Sequence, residues 1–254
     1  MAMLDRNGVK IFYEAFGNGP TVLLSHGYSA TSAMWNPQVK DLPRDFRLVV
    51  WDMRGHGDSD SPADPAQYSE AATVADMAAI LDAVGARSAV IGGLSLGGYM
   101  SLAFELAHPE RTSALMVFDT GPGYRKDEGR EAWNRTARAR ADQFEKQGLA
   151  ALGQGNEVRV SRHRSAQGLA HAARGMLAQV DGRVINRLPD IKVPTLVLVG
   201  DNDTPFLAAT DYMAGKIPGA TKVVLKDAGH ASNIDQPAAF NQVVRRFIRD
   251  SNIA

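Results

Sequence analysis

The chain has 254 residues, enough to bury a large core as one big domain or two small ones. It contains no cysteine, which excludes disulfides, thiolate metal sites and thiol nucleophiles. Its 28 Lys+Arg balance 28 Asp+Glu, so the basic excess of a nucleic-acid binder is missing.

The first residues, Met1 to Gly8, hold no long apolar run. That points to a cytoplasmic chain with no signal peptide and no membrane span. Asn7-Gly8 is a hairpin turn signal between Met3-Leu4 and Val9 to Phe16. Thr21 to Leu24 is a continuous apolar strand of the kind found inside parallel sheets. A short helix is expected around Trp35 and Pro37, then a strand from Phe46 to Trp51. Val74, Met77, Ile80, Leu81 and Val84 recur at helical spacing within Ala71 to Val84. A strand ending near Leu94, a helix ended by His108-Pro109, and a strand from Ala114 to Phe118 follow.

The alternation then lapses. Residues 121 to 188 show no convincing strand; Lys126 to Gln147 and Arg162 to Val180 read as helices. Pro194 to Gly200 restarts the strand pattern. Leu207 to Lys216 reads as a helix, Lys222 to Leu225 as a strand and Pro237 to Arg249 as a terminal helix. This order predicts an α/β fold with a mostly parallel sheet, helices on both faces and an N-terminal antiparallel hairpin. Residues 1–120 and 189–254 form the core, and 121–188 a small inserted helical cap over the C-terminal edge of the sheet. That cap carries 13 Lys+Arg against 7 Asp+Glu, which would suit an anionic acid moiety on a substrate.

Gly93-Leu94-Ser95-Leu96-Gly97 fits G-x-S-x-G between an apolar strand and a helix. A serine at such a turn is lifted above the sheet beside the positive end of the following helix. Serine is a poor nucleophile at neutral pH and needs a base, which in turn needs an orienting group. His230 lies just past the last strand and is the candidate base. Asp203, in the loop after Val199-Gly200, is the candidate acid, with Asp201 and Asp119 as competitors on the same edge. A developing oxyanion needs donors, for which the backbone amides of Leu96 and Tyr28 are the candidates, with Gly27 in reserve for Tyr28. His26 is expected to brace its loop, and Asp52 and Arg54 to form an ion pair within theirs. Tyr124 and Trp133 are candidate pocket residues, with packing beneath the cap the stronger of the two readings. Neither metal-ligand spacing nor a cofactor fingerprint is present, so no metal and no cofactor are expected.

These motifs resemble the α/β-hydrolase superfamily. The resemblance rests on Ser25-His26-Gly27-Tyr28, Asp52 to Ser59, Gly93 to Gly98, Gly200 to Asp203 and Gly229-His230. It implies a triad of Ser95, Asp203 and His230, and an oxyanion hole from the amides of Tyr28 and Leu96. Small bacterial carboxylesterases and 3-oxoadipate enol-lactonases look closest, through His230 to Pro237, Glu131 to Asn134 and Gln147 to Leu152. Dehalogenases and epoxide hydrolases use an aspartate nucleophile, and meta-cleavage C–C hydrolases usually carry tryptophan where Ala231 stands. The implied function is a serine hydrolase acting on small to medium carboxylic esters. A lactonase or C–C bond hydrolase is the alternative, a perhydrolase side reaction is possible, and a ligand receptor on this scaffold is the non-enzyme alternative. The partner is a small-molecule ester or lactone, with no nucleic acid and no membrane; the oligomeric state is not legible.

Overall fold

The computed structural model describes residues 2–253. Eight strands form one sheet: β1 (Ala2–Asp5), β2 (Lys10–Phe16), β3 (Thr21–Ser25), β4 (Arg47–Trp51), β5 (Ala89–Leu94), β6 (Thr112–Phe118), β7 (Thr195–Gly200) and β8 (Thr221–Leu225). Among the described residues the helices are α1 (Asn36–Val39), α2 (Glu70–Ala83), α3 (Leu96–Ala107), α4 (Asp127–Gln147), α5 (Asn156–Arg159), α6 (Ala166–Ala172), α7 (Arg183–Arg187), α8 (Thr204–Lys216), α9 (Ser232–Asp235) and α10 (Pro237–Asp250). This is the α/β-hydrolase fold.

The sheet order is β1-β2-β4-β3-β5-β6-β7-β8. β1 and β2 pair antiparallel through a turn in which Asn7 and Gly8 both take positive φ, 57° and 86°. That is the turn chemistry the Asn-Gly pair favours. β2 also runs antiparallel to β4, and every later pairing is parallel. Strand order reverses between β3 and β5, so the loops leaving their C-terminal ends diverge and open a crevice. The register pairs Ser25 with Gly93, which brings Gly27 and Ser95 level at that crevice.

Alternate residues of the central strands enter two separate cores. Leu23, Val49, Ile91, Val117 and Val197 face α2, α3 and α8, through Met77, Ile80, Met100, Phe104 and Met213. Val22, Leu24, Val50, Met116 and Leu198 face Trp35, Leu42 and the Phe240, Val244 and Phe247 stripe of α10. A sheet covered on both faces needs continuous apolar strands, as these are. Each large side chain buried this way contributes about 1.5–3 kcal/mol.

Between β6 and β7 the chain is helical. Ala141 and Phe144 of α4 pack on Leu169 and Ala170 of α6, with the Tyr28 ring against them. The expected helix over 162–180 is shorter than its apolar pattern. The Ser165 hydroxyl accepts from the Gly168 amide at 2.9 Å and starts α6 there. His163 and Arg164 are turned back to Ser29 and Asp58. At the other end Ala173–Leu177 widens into a π turn, closed by the Ala178 amide on the Ala173 carbonyl at 3.0 Å. Helices α5 and α7, of 4 and 5 residues, are too short to show a period in sequence.

Candidate active site

β5 is buried along its whole length and ends at Ser95, whose φ of 56° and ψ of −118° are unfavourable for a non-glycine residue. Neighbours hold it there. Its amide donates to the Phe118 carbonyl at 2.9 Å, and its carbonyl accepts the Thr120 hydroxyl at 2.7 Å. Glycine is required on both sides. A Cβ on Gly97 would enter the Ser25 carbonyl, and one on Gly93 would enter the backbone of Gly97.

His230 follows β8, and its loop is drawn beneath the end of β7. A Cβ on Gly200 would meet the carbonyls of Ala228 and Gly229. The Gly229 amide donates to Asp235 at 2.8 Å. His230 Nδ1 lies 2.8 Å from Asp203 Oδ2, with Asp203 almost fully buried and a third of the imidazole exposed. Asp203 occupies the N-cap position of α8 yet makes no capping bond. Its carboxylate is turned to the histidine instead. The Phe206 ring stacks on the imidazole, with centroids 5.2 Å apart. Burial disfavours the imidazolium, but the Asp203 hydrogen bond and charge, with the fields of Asp119 and Glu157, outweigh it and raise the His230 pKa.

The competing acids are otherwise engaged. Asp119 accepts from the Gly200 amide at 2.8 Å and from the Ser232 hydroxyl. Burial pushes its carboxyl up to about 7, against those two hydrogen bonds. Asp201 accepts from the Ala228 amide at 3.2 Å.

The loop after β3 lies against Ser95; a Cβ on Gly27 would touch the Ser95 side chain. Leu96 is the first residue of α3, where helix geometry leaves the amide without an intrahelical partner. The Tyr28 hydroxyl donates to the Leu169 carbonyl at 2.8 Å, tying this loop to α6. His26 donates from Nδ1 to the Gly27 carbonyl at 2.7 Å and accepts at Nε2 from the Met53 amide at 2.9 Å. It braces its loop, as expected.

The expected Asp52–Arg54 ion pair is not formed. Arg54 pairs with the buried Asp76 of α2, at 2.6 and 2.9 Å. Asp52 accepts the Ser32 and Asp58 amides at 2.7 and 2.8 Å. The two side chains leave the strand end towards different neighbours, and each finds a partner that sequence spacing does not reveal.

A cavity of about 220 Å³ opens at Ser95, walled by Tyr99, Tyr124, Trp133, Leu177, Gln179 and Phe206 among others. Tyr124 and Trp133 thus stand in the wall, 6.2 Å apart between centroids. The Trp133 indole is also structural, donating to the Leu177 carbonyl at 2.8 Å. None of the positive charge of residues 121–188 reaches the lining. Several of their arginines pair elsewhere, Arg130 with Asp127, Arg174 with Asp142 and Glu145, and Arg183 with Glu70. The anionic-substrate expectation therefore has no cation in the wall to support it. Sequence reasoning missed Phe206, whose place just after Asp203 was a usable signal, and Gln179, which lay inside an expected helix.

Residues 22–243 match the alpha/beta hydrolase family, and the chain belongs to it. It is 30% identical over 253 residues to 3-oxoadipate enol-lactonase 1 of Acinetobacter baylyi, across 91% of this chain and 90% of that protein. Among solved structures, a thermophilic esterase from Thermogutta terrifontis superposes with a TM-score of 0.84 at 28% identity, covering 98% of this chain and 97% of that one. The enol-lactonase from Burkholderia xenovorans gives 0.78 at 29% identity, covering 98% and 100%. The protein is a hydrolase. Among the described residues no helix is long and apolar enough to cross a membrane.

Proposed function

We propose that the protein cleaves carboxylic esters of small substrates through an acyl-enzyme on Ser95. The observation that carries this is the 2.8 Å contact of His230 Nδ1 with buried Asp203, on the same sheet edge as the strained Ser95 turn. A proton on Nδ1, donated to Asp203, leaves the Nε2 lone pair free to act as base. Ser95 Oγ attacks the ester carbonyl as its proton passes to His230 Nε2. The amides of Tyr28 and Leu96 take the oxyanion. On collapse Nε2 returns the proton to the leaving alkoxide, and the acyl group stays on Ser95. Water then attacks the acyl-enzyme, again losing a proton to Nε2, and collapse restores the Ser95 hydroxyl and releases the acid.

The cavity holds the volume of roughly seven waters at ~30 Å³ each, which suits a short acyl or alcohol arm. A lactone follows the same steps with its alkoxide still tethered, and the names of the relatives support that variant. The test is turnover of p-nitrophenyl acetate, butyrate and octanoate by the wild type beside Ser95→Ala. Sustained hydrolysis favouring short chains, reduced about 10⁵-fold or more in the variant, is expected. Wild-type rates surviving in Ser95→Ala would sink the mechanism. Ligand binding without turnover would favour a receptor.

A further inference from the structure

The cavity wall is apolar on most sides but contains the side-chain amide of Gln179. Its Oε1 is buried with no hydrogen-bond partner, and no bond of its Nε2 is formed either; only its backbone groups are engaged. A buried amide oxygen left this way is unfavourable until a donor meets it.

The surrounding structure places this amide deliberately. The π turn Ala173–Leu177 redirects the chain at the end of α6 and delivers residues 177–179 to the cavity. Such turns concentrate at functional positions. Two side chains of α4 then fix the segment. Trp133 Nε1 donates to the Leu177 carbonyl at 2.8 Å. Asn134 closes a two-way clamp on the Gln179 backbone, accepting its amide and donating to its carbonyl, both at 2.8 Å. Gly123 leaves room for the side chain, because a Cβ there would crowd Gln179 Oε1. The segment is thus held by three hydrogen bonds while the side-chain amide, its Oε1 packed against Gly123, is left without a partner at the cavity wall.

We infer that Gln179 is a specificity-determining residue that recognises a neutral hydrogen-bonding group, a hydroxyl or an amide, on the arm of the substrate entering this cavity. A primary amide both donates and accepts, and so does a hydroxyl, whichever way the amide is turned. The absence of charged groups from the lining disfavours a carboxylate there, because a buried anion needs a cationic partner or several donors. The inference rests on the esterase reading for its substrate but not for its ligand chemistry.

Methyl esters test it, since a methyl alcohol leaves only the acyl arm to fill the cavity. kcat/KM is measured for methyl butyrate and for both enantiomers of methyl 2- and 3-hydroxybutyrate, on the wild type and on Gln179→Met. The wild type should prefer at least one hydroxylated ester by about tenfold, and Gln179→Met should erase that preference, read as the ratio of the two kcat/KM values within each enzyme. No preference in the wild type, or an equal preference in the variant, overturns the inference. Should Gln179→Met fail to fold, the isosteric Gln179→Glu takes its place; it loses the donor, and an unchanged ratio there overturns the inference too. If the wild type cleaves none of these esters, the esterase reading falls separately. The Tm shift of Ser95→Ala with the same esters then decides. A larger shift with a hydroxylated ester, lost on adding the Gln179 substitution, supports the inference, and equal shifts overturn it.

Discussion

His230 and the group formed by His26, His56 and His163 are the same residue type with pKa values shifted in opposite directions. The rings of His26 and His56 are 4.9 Å apart, and those of His56 and His163 are 5.7 Å apart. Each is bound by backbone groups that require a neutral ring. His56 accepts the Ser29 amide at Nε2 (3.2 Å) and donates to the Arg54 carbonyl from Nδ1 (3.0 Å). His163, on the inserted segment, accepts the Gly57 amide and donates to the Ser29 carbonyl. Protonating any of them would set an N–H against an N–H. Burial lowers all three pKa values, that of His26 to about 4, more than its bond to the Gly27 carbonyl raises it. His230 instead meets a carboxylate and is raised. Partner and solvent access, not residue identity, set the direction of each shift.

Asp203→Asn breaks the comparison most severely. The amide cannot stabilise the imidazolium, so kcat/KM should fall about 10⁴-fold. In the wild type the acid limb of the kcat/KM profile should lie above pH 6.5, the ordinary imidazole value, because the raised His230 must be neutral to act. A limb well below that value would contradict the Asp203 contact.

Acid unfolding sharpens the other half. His26 is neutral in the fold down to about pH 4, while the unfolded chain takes up its proton near 6.5. Its contribution is therefore present above pH 6.5 and is lost as pH falls towards 4, by roughly 3 kcal/mol from this residue alone. His230 has the opposite sign, adding stability below 6.5 that disappears as pH rises through its folded pKa. The stability difference between wild type and His26→Asn should shrink as pH falls from 7 to 4, and a difference independent of pH would refute the neutral ring, since the opposite slope from Asp119, raised to about 7, is common to both proteins. The smallest effect is expected at His163→Ala, which removes two bonds from the inserted segment to the core loops. A Tm lowered by about 2–4 °C, with a rise in KM larger than any change in kcat, is the outcome to look for.

Much of this was legible in the chain itself. The apolar strands, the Asn7-Gly8 turn and the G-x-S-x-G around Ser95 are local signals, governed by pleat, backbone sterics and strand-to-helix geometry. The choice among acids was less local. Asp119, Asp201 and Asp203 all end strands on one sheet edge, and family spacing favoured Asp203. The structure adds that Gly200, Ser232 and Ala228 occupy the other two carboxylates. Arg54 was misread because its partner, Asp76, lies on α2, 22 positions away and across a buried interface.

Local sequence determined where strands and turns form, because backbone conformation responds to the nearest few residues. It also determined that a serine, an acid and a histidine end strands on one edge in the order Ser95, Asp203, His230. Only tertiary structure decided which charges pair, why the arginines of residues 121–188 stay out of the cavity, and why the Gln179 amide has no partner at the cavity wall. Those outcomes depend on desolvation and on contacts between residues distant in the chain, such as Asn134 with Gln179. No local pattern encodes them, because each arises from what the folded chain places around the group.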